Sequence, residues 1–158
     1  MEIERKFLVD PLPKGLEQFT KRRIEQGYLC TNPVVRIRQM DDSYILTYKS
    51  SGMMARQEAE FPLTKEAYEH LKEKVDGRVI TKDRYVIPYG QWKIELDYFH
   101  GDLEGMVLAE VEFASLEEAN NFQAPDWFQK DVTFEKEYHN SYLSSAKELP
   151  DFAKNKFL

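Results

Sequence analysis

The sequence has a single cysteine, Cys30, so no disulfide can form within the chain. Its three histidines, His70, His100 and His139, are far apart and leave no zinc-type spacing of Cys and His. Glycine-rich phosphate loops of the Walker type and the GxSxG motif of serine hydrolases are also missing. These absences exclude the commonest nucleophilic, zinc-dependent and P-loop chemistries. We expect Cys30 to be a packed residue and the histidines to be surface or capping residues.

Long apolar runs are missing as well: none approaches the roughly 20 residues that a membrane-spanning helix needs. The first residues are charged and do not resemble a signal peptide. The net charge of −6 argues against general binding of nucleic acid or anionic membranes, although it allows a local basic pocket. With 42% hydrophobic and 32% charged residues, the composition is that of a globular protein. We expect one cytoplasmic domain over residues 1–158 that binds neither nucleic acid nor membranes.

In place of these motifs, the sequence repeatedly spaces charged residues two apart. Glu2, Glu4 and Lys6 begin the chain in this way. In a β-strand, side chains two residues apart lie on the same face. The spacing recurs along the chain, at Arg36 and Arg38, at Arg56, Glu58 and Glu60, at Lys82 and Arg84, at Glu95 and Asp97, and at Glu110 and Glu112, while Lys49 ends a further strand-like stretch.

Two arrangements explain such strands. An ordinary antiparallel sheet would present its charged face to water. Alternatively, the sheet closes into a barrel with a charged lumen and an apolar outer face that helices partly cover. Within one strand the charges are mostly of one sign, whereas a solvated face would more often mix the signs. The pattern therefore favours the barrel.

The alternation and the turn signals predict the secondary structure. We expect strands near residues 1–9, 34–40, 43–50, 54–62, 78–88, 91–99 and 106–113, with short extended pieces near 27–30 and 131–134. Helices are predicted over 64–77, 115–125 and 138–148, with Tyr138, Tyr142 and Leu149 as buried positions in the last, and a short helix within 13–25. The order predicts an α+β fold, mainly β, with about eight antiparallel strands and flanking helices.

A lumen that contains both charge signs is suited to a polyanion and its divalent cations, because buried charges must be paired or bound to a ligand. Arginine forms bidentate contacts with phosphate oxygens, and lysine supplies a point charge. Carboxylates are hard oxygen ligands for Mg²⁺ or Mn²⁺. Phosphoryl transfer depends mainly on positioning and charge neutralisation. The residues therefore favour a metal-dependent enzyme that acts on a small molecule containing a phosphate chain.

Several segments of the sequence resemble conserved segments of the CYTH superfamily, the triphosphate tunnel metalloenzymes. The first, EIERK at residues 2–6, resembles the ExExK signature of that family. Others follow in the family's order over nearly the whole chain: VRIR at 35–38, KDR at 82–84, IELDYF at 94–99, GMVLAEVEF at 105–113 and DVT at 131–133. The resemblance implies a closed eight-stranded antiparallel β-barrel that holds a triphosphate inside.

The resemblance also implies roles for individual residues. The metal ligands would be Glu2, Glu4, Asp97, Glu110 and Glu112, and the substrate ligands Arg36, Arg38, Lys49, Arg56, Lys82 and Arg84. Tyr28 matches a tyrosine that small bacterial members pair with the signature lysine, here Lys6, as the proton acceptor. A nearby ammonium would stabilise the phenolate, although Tyr28 could equally be a packed aromatic residue.

Three positions are left open by the resemblance. Glu58 and Glu60 would either bind a second metal or pair with the basic residues. Glu137 stands where many members carry a basic residue before Tyr138, and Lys136 is the candidate substitute.

The family includes several activities. The chain lacks the His-Phe pair that the cyclases usually carry ahead of the signature, and with Tyr28 it resembles the bacterial inorganic triphosphatases. We therefore expect metal-dependent hydrolysis of inorganic triphosphate to diphosphate and phosphate. The alternatives are a class IV adenylate cyclase, a thiamine or nucleoside triphosphatase, or a non-catalytic polyphosphate-binding module. The sequence does not give the oligomeric state, and a homodimer stays open.

Overall fold

The computed structural model describes residues 1–150 and residue 152, so residues 151 and 153–158 of the predicted domain lie outside the described part. The strands are β1 (Glu2–Val9), β2 (Thr20–Thr31), β3 (Val34–Met40), β4 (Ser43–Lys49), β5 (Ala55–Arg56), β6 (Glu58–Pro62), β7 (Asp76–Tyr89), β8 (Trp92–Phe99), β9 (Val107–Glu112) and β10 (Phe128–Asp131). The helices are α1 (Lys65–Lys72), α2 (Leu116–Asn120) and α3 (Asn140–Leu143), and short 3₁₀ turns lie at Leu16–Gln18, Gly101–Leu103 and Lys136–Tyr138.

Antiparallel pairing joins the strands into a barrel. The order is β10-β1-β9-β8-β7-β2-β3-β4-β6, and β5 pairs with β1. Because β5 runs almost directly into β6, these two act as one interrupted strand, and the contact of Arg56 with Glu2 and of Ala55 with Ile3 closes the ring. Eight strands then form the ring, with β10 added at one edge of β1. The predicted eight-stranded antiparallel barrel with flanking helices is confirmed.

Alternation along each strand separates the charged interior from an apolar outer layer. In β1, Glu2, Glu4 and Lys6 lie inside, while Ile3 and Phe7 belong to the outer core. That core also contains apolar residues of β8 and β9, together with aromatic residues that follow α2. The N-terminus of α2 is capped as its sequence predicts, because the Ser115 hydroxyl accepts a hydrogen bond from the Glu118 amide at 3.1 Å. Helix and aromatic residues thus cover one flank of the barrel.

Beyond the charged interior, the inward-facing rows become apolar. Ile80, Phe99 and Leu108 lie two positions along their strands from Lys82, Asp97 and Glu110. They pack against the C-terminal segment in a second cluster that also contains Leu103, Met106, Val132, Tyr138 and Leu143. This cluster fixes α3 and the turn before it against the barrel.

The prediction of a short helix within residues 13–25 is wrong for most of that segment. Only the turn at Leu16–Gln18 is helical, and β2 already begins at Thr20. The reason is tertiary: β2 is hydrogen-bonded to β3 on one side and to β7 on the other, so sheet pairing overrides local propensity.

The C-terminal helix is shorter than predicted. α3 spans Asn140–Leu143 within the predicted 138–148. The Arg78 guanidinium donates to the carbonyl oxygen of Leu143, the last residue of α3, and to that of Ala146 beyond the helix. Tyr138 is buried as expected, but Tyr142 is 39% exposed. In the described part of the chain, no helix is both long enough and apolar enough to span a membrane.

Leu108 tests the second cluster because it is 1% exposed, whereas Leu116 on α2 is 47% exposed. Leu108→Ala should lower the free energy of unfolding by about 2–5 kcal/mol through lost burial and a residual cavity. Leu116→Ala should change it by less than about 0.5 kcal/mol. Urea unfolding followed by circular dichroism measures both values. Equal losses in the two variants would contradict the packing described here.

Candidate functional site

The inward-facing rows converge on a cavity of about 230 Å³ inside the barrel. All of the sequence-predicted site residues except Asp97 line it, and so do Glu58, Glu60 and Glu95. The alternation therefore brings together side chains from eight strands that are far apart in the sequence. We refer to this cavity as the tunnel.

Asp97 lies behind the lining, where it is 1% exposed and joins two of the cations. Its carboxylate is 2.7 Å from Lys82 Nζ and accepts two hydrogen bonds from Arg84, at 2.8 and 2.9 Å. Burial alone would raise the pKa of Asp97, but the charges of Arg84 and Lys82 outweigh it and hold that pKa below its usual value. Asp97 thus orients two cations towards the tunnel, and its role as a metal ligand stays a prediction.

Other cations face the tunnel without a carboxylate beside them. Arg36 donates to the Thr47 hydroxyl at 3.3 Å, and Arg38 donates to Gln26 Oε1 at 2.9 Å. Among the described residues, neither arginine has an acidic partner within 4 Å, and the buried Nε of Arg36 has no hydrogen-bond partner. These donors are placed to bind an anion.

Burial and the proximity of like charges lower the pKa values of two of the cations. Burial, together with the charges of Arg36 and Arg84, lowers the pKa of Arg38 to about 9. Burial also lowers the pKa of Lys82 to about 7, even though Asp97 opposes the shift. An anion bound between these groups would stabilise their charged forms.

Carboxylates form the opposite wall of the tunnel. Glu2 is 2.9 Å from Lys49 and 3.5 Å from Arg56, and Glu110 is 3.4 Å from Lys6. We define the acidic wall as Glu2, Glu4, Glu110 and Glu112. The contacts with cations neutralise only part of its charge.

The pKa values of the four carboxylates differ. Nearby cations, Lys6 first, hold the pKa of Glu110 well below its usual value despite its burial, whereas the pKa of Glu2 is raised, mainly by burial. Burial and the neighbouring charge of Glu110 raise the pKa of Glu4 to about 8. Burial and the charges of Glu2, Glu58 and Glu95 raise the pKa of Glu112 as well. Within residues 1–150 and 152, no group of three or more acidic, histidine or cysteine side chains already has the geometry of a metal site. The excess carboxylate charge nevertheless suits a divalent cation, which would relieve the repulsion.

Tyr28 and Lys6 both line the tunnel, and Tyr28 is buried. The Lys6 ammonium donates to the Tyr138 carbonyl oxygen at 3.4 Å and pairs with Glu110. In the described part of the chain, no hydrogen bond joins Tyr28 to Lys6. Their predicted partnership in proton transfer stays a prediction.

Sequence reasoning missed a hydrogen-bonded chain behind the cations. Asn140 Oδ1 accepts from Lys82 at 3.0 Å and from Gln26 at 3.2 Å, and Gln26 in turn accepts from Arg38. Gln26 could have been found, because it is in phase with Tyr28, but the predicted extended piece begins only at residue 27. Asn140 comes from α3, outside any strand, so the two-residue spacing gives no signal for it.

His139 was also missed, since it was expected at the surface or in a cap. It lines the tunnel, and its Nε2 lies 2.8 Å from the Thr133 carbonyl oxygen, to which it donates. Burial and the charge of Lys6 lower the pKa of His139 to about 4, so the ring is neutral at physiological pH.

The positions that the resemblance left open behave differently. Glu58 lies 3.4 Å from Lys49, as expected if it pairs with the basic residues. Glu60 lines the tunnel and is exposed to solvent. Lys136 lies outside the tunnel and lines a neighbouring cavity.

This geometry, a charged lumen inside an antiparallel barrel, agrees with comparison to known proteins. The sequence matches the CYTH domain over residues 1–149. The chain belongs to the CYTH domain family. It is 40% identical over 148 residues to an inorganic triphosphatase of Nitrosomonas europaea, covering 90% of this chain and 96% of the relative. It is 34% identical over 151 residues to an inorganic triphosphatase of Acetivibrio thermocellus, covering 90% and 92%.

Solved structures of other proteins show the same fold. A crystal structure of an inorganic triphosphatase superimposes with a TM-score of 0.69 at 37% identity, covering 92% of this chain and 95% of that one. A conserved hypothetical protein from Pyrococcus furiosus superimposes with a TM-score of 0.59 at 22% identity, covering 76% and 84%. The second similarity concerns the fold alone.

Asp97 and Glu95 form a matched pair, since both contact Arg84 but only Asp97 is fully buried. Asp97→Asn should lower the free energy of unfolding by about 3–5 kcal/mol, because it leaves buried cations unpaired. Glu95→Gln should cost about 1 kcal/mol or less. Urea unfolding in the absence of polyanions measures both, and equal effects would contradict the assigned role of Asp97.

Asp97 also makes the free energy of unfolding depend on pH. The folded-state pKa of Asp97 lies below the unfolded value of about 3.9. Its contribution to stability is therefore complete above that value and is lost as the pH falls below it. Unfolding measured down the acid range should show a smaller loss of stability for Asp97→Asn than for the wild type.

Proposed function

We propose that this protein hydrolyses inorganic triphosphate to diphosphate and phosphate inside the tunnel. The observation that carries the proposal is that two buried cations, Arg36 and Arg38, face the cavity without an acidic partner among the described residues. Triphosphate supplies several negative oxygens in a row, which suits cations distributed along several strands. Both curated relatives are named inorganic triphosphatase, which favours this activity over a cyclase or a thiamine or nucleoside triphosphatase.

The cations divide the work of substrate binding. Arg36 and Arg38 would bind phosphate oxygens with guanidinium groups that β3 holds side by side. Lys82 and Arg84 would approach from β7, oriented by Asp97, and Lys49 and Arg56 from the strands that close the barrel. Asn140 and Gln26 would fix the positions of Lys82 and Arg38. Binding would thus need little reorganisation of the side chains.

A divalent cation, Mg²⁺ or Mn²⁺, fits the acidic wall because its carboxylates repel one another and are hard oxygen donors. Glu2, Glu4, Glu110 and Glu112 would hold it. When bound, the ion would neutralise charge on the phosphate oxygens and so lower the barrier to attack.

Hydrolysis also needs a proton acceptor. The oxygen of water forms a bond to a terminal phosphorus, the bridging P–O bond breaks, and diphosphate leaves. Tyr28 would take the proton of the attacking water, with Lys6 as its predicted partner in the tunnel. A cytoplasmic location stays a prediction from the sequence.

The direct test is phosphate release from tripolyphosphate with Mg²⁺ or Mn²⁺, compared with ATP and thiamine triphosphate. We expect tripolyphosphate to be preferred and excess EDTA to abolish release, because the acidic wall then repels the substrate. Arg38→Ala should weaken substrate binding by about 1.5–3 kcal/mol, the value of one charge-assisted contact. The outward-facing Arg23→Ala is the control. Full turnover in EDTA, or no turnover of tripolyphosphate at all, would overturn the proposal.

Tyr28→Phe tests the proton acceptor, with the exposed Tyr48→Phe as its matched control. Loss of a general base should lower kcat by about 10²–10⁴-fold while leaving KM nearly unchanged. The pH profile of activity should also differ between Tyr28→Phe and the wild type, because the variant lacks the group that accepts the proton. If Tyr28→Phe keeps the wild-type rate and pH profile, another group must accept the proton.

A further inference from the structure

Arg78 continues the inward-facing row of β7 beyond the tunnel. Side chains two residues apart share a face of a strand, so Arg78 is in phase with Ile80 and Lys82. Four residues of extended chain place Arg78 about 13 Å along the strand from Lys82. Its guanidinium binds the C-terminal segment at the end of α3. An effect of Arg78 on Lys82 would therefore pass through α3.

Donors from Arg78 hold the chain at and after the end of α3. The Arg78 amide donates to the Ser144 carbonyl oxygen at 2.6 Å, and the guanidinium donates to the carbonyl oxygens of Leu143 and, at 2.9 Å, of Ala146. The last carbonyl groups of a helix lack partners within it, and a cation at that end is favourable. α3 has only four residues, and a helix this short is not stable without tertiary contacts. Arg78 therefore both pairs these carbonyl groups and fixes the end of α3.

Gly77 allows the two chain segments to approach closely at this point. Its φ of 69° lies in the left-handed region, which glycine adopts without steric cost. A Cβ atom on this residue would clash with the Ser144 carbonyl oxygen. The backbone just before Arg78 thus lies directly against the residue that follows α3, so a displacement of one requires a displacement of the other.

At the other end of α3, Asn140 contacts the residues that hold the tunnel cations. Its Oδ1 accepts from Lys82 at 3.0 Å and from Gln26 at 3.2 Å. Gln26 Oε1 in turn accepts from Arg38 at 2.9 Å. Because a hydrogen bond is lost beyond roughly 3.5 Å, a shift of α3 by about 1 Å would break the bonds that Asn140 accepts.

α3 therefore runs along β7 with both ends attached. Its first residue, Asn140, is bonded to Lys82, and its last, Leu143, to Arg78. Between these contacts, Ile80 and Leu143 belong to the second cluster. Apolar packing is not directional, so on its own it sets the position of α3 along the strand only loosely. The carbonyl contacts of Arg78 are directional and fix that position.

We propose that Arg78 is a positioning residue for substrate binding, which acts by holding the end of α3. Asn140 then stays at hydrogen-bonding distance from Lys82 and Gln26, and Gln26 stays at that distance from Arg38. One residue outside the tunnel thus orients two cations that belong to different strands, β7 and β3. This inference rests on the proposed function, in which Lys82 and Arg38 bind phosphate oxygens.

The alternative is a purely structural role, in which Arg78 stabilises the fold without orienting the cations. A destabilised enzyme has fewer active molecules, which lowers the apparent kcat and leaves KM unchanged. Poorly oriented cations instead weaken the contacts that bind the substrate, which raises KM. The two roles therefore predict different kinetic changes.

The first test is a double-mutant cycle of Arg78→Met and Asn140→Ala with tripolyphosphate, at a temperature at which circular dichroism shows every variant folded. Arg78→Met should raise KM by about tenfold, the equivalent of one hydrogen bond to a charged group, with kcat nearly unchanged. In the Asn140→Ala background the same change should raise KM by less than about twofold, because Arg78 acts through Asn140. Equal effects in both backgrounds, or a fall in kcat with KM unchanged, would overturn the inference.

Further variants separate the contacts of Arg78. Its Nε is also 3.2 Å from Asp102, whose side chain is 74% exposed. Asp102→Asn removes this exposed ion pair and keeps the carbonyl contacts, so KM should stay within about twofold of the wild-type value. Arg78→Lys keeps the charge but lacks the guanidinium fork, so its KM should lie between those of the wild type and Arg78→Met. If Asp102→Asn raises KM as much as Arg78→Met does, the ion pair is the important contact and the inference is wrong.

A spectroscopic measurement tests the positioning without turnover. The side-chain amide signals of Asn140 and Gln26 in a proton–nitrogen correlation NMR spectrum report their hydrogen bonds. Both signals should shift in Arg78→Met and keep their wild-type positions in Asp102→Asn. Unchanged signals in Arg78→Met would overturn the inference while the proposed function stands. If the wild type does not hydrolyse tripolyphosphate, the proposed function fails, and a shift of these signals still shows that Arg78 positions Asn140.

Discussion

The ion cluster around Asp97 is the constraint on which the rest of the interior depends. One fully buried carboxylate holds Lys82 and Arg84 at hydrogen-bonding distance. Arg38 and Arg36 lie nearby, and neither has an acidic partner in the part of the chain that the structure describes. Such a concentration of like charge is costly inside a protein unless a ligand completes it. The barrel keeps these groups together because their strands are hydrogen-bonded on both sides. The unpaired cations therefore lower the stability of the empty barrel, but they leave an anion site whose side chains are already in position.

Closure of the barrel gives this cluster its opposite wall. The two-residue pairing of β5 with β1 brings Arg56 beside Glu2, and the pairing of β1 with β9 sets Glu4 against Glu112. Glu4 therefore lies among carboxylates, with cations on neighbouring strands. An open sheet would leave these two sets of charges separated and solvated. The raised pKa of Glu4 and the lowered pKa of Lys82 are both consequences of the closed geometry.

The period-two spacing made most of this predictable, because it depends only on the geometry of a strand. It identified the inward residues of β1, β3, β7, β8 and β9 without any knowledge of which strands are neighbours. It identified β2 only near residues 27–30, because sheet pairing on both edges of the strand overrides the helical pattern of the residues before them. It also failed for His139 and Asn140, because His139 lies in the turn before α3 and Asn140 in α3 itself. The two-residue spacing of a strand does not apply to either element. The pairing of Asp97 with Lys82 and Arg84 needed the strand register, which the sequence does not contain.

The charge distribution gives the tunnel two different walls. Arg36 and Arg38 face the cavity from β3, and within the described part of the chain neither has an acidic partner within 4 Å. The acidic wall belongs to β1 and β9, whose pairing sets Glu4 against Glu112. A phosphate chain together with a divalent cation would satisfy both walls at once, because phosphate oxygens suit guanidinium groups and the cation suits carboxylates. The two walls therefore depend on each other through the ligand, independently of which residue accepts the proton.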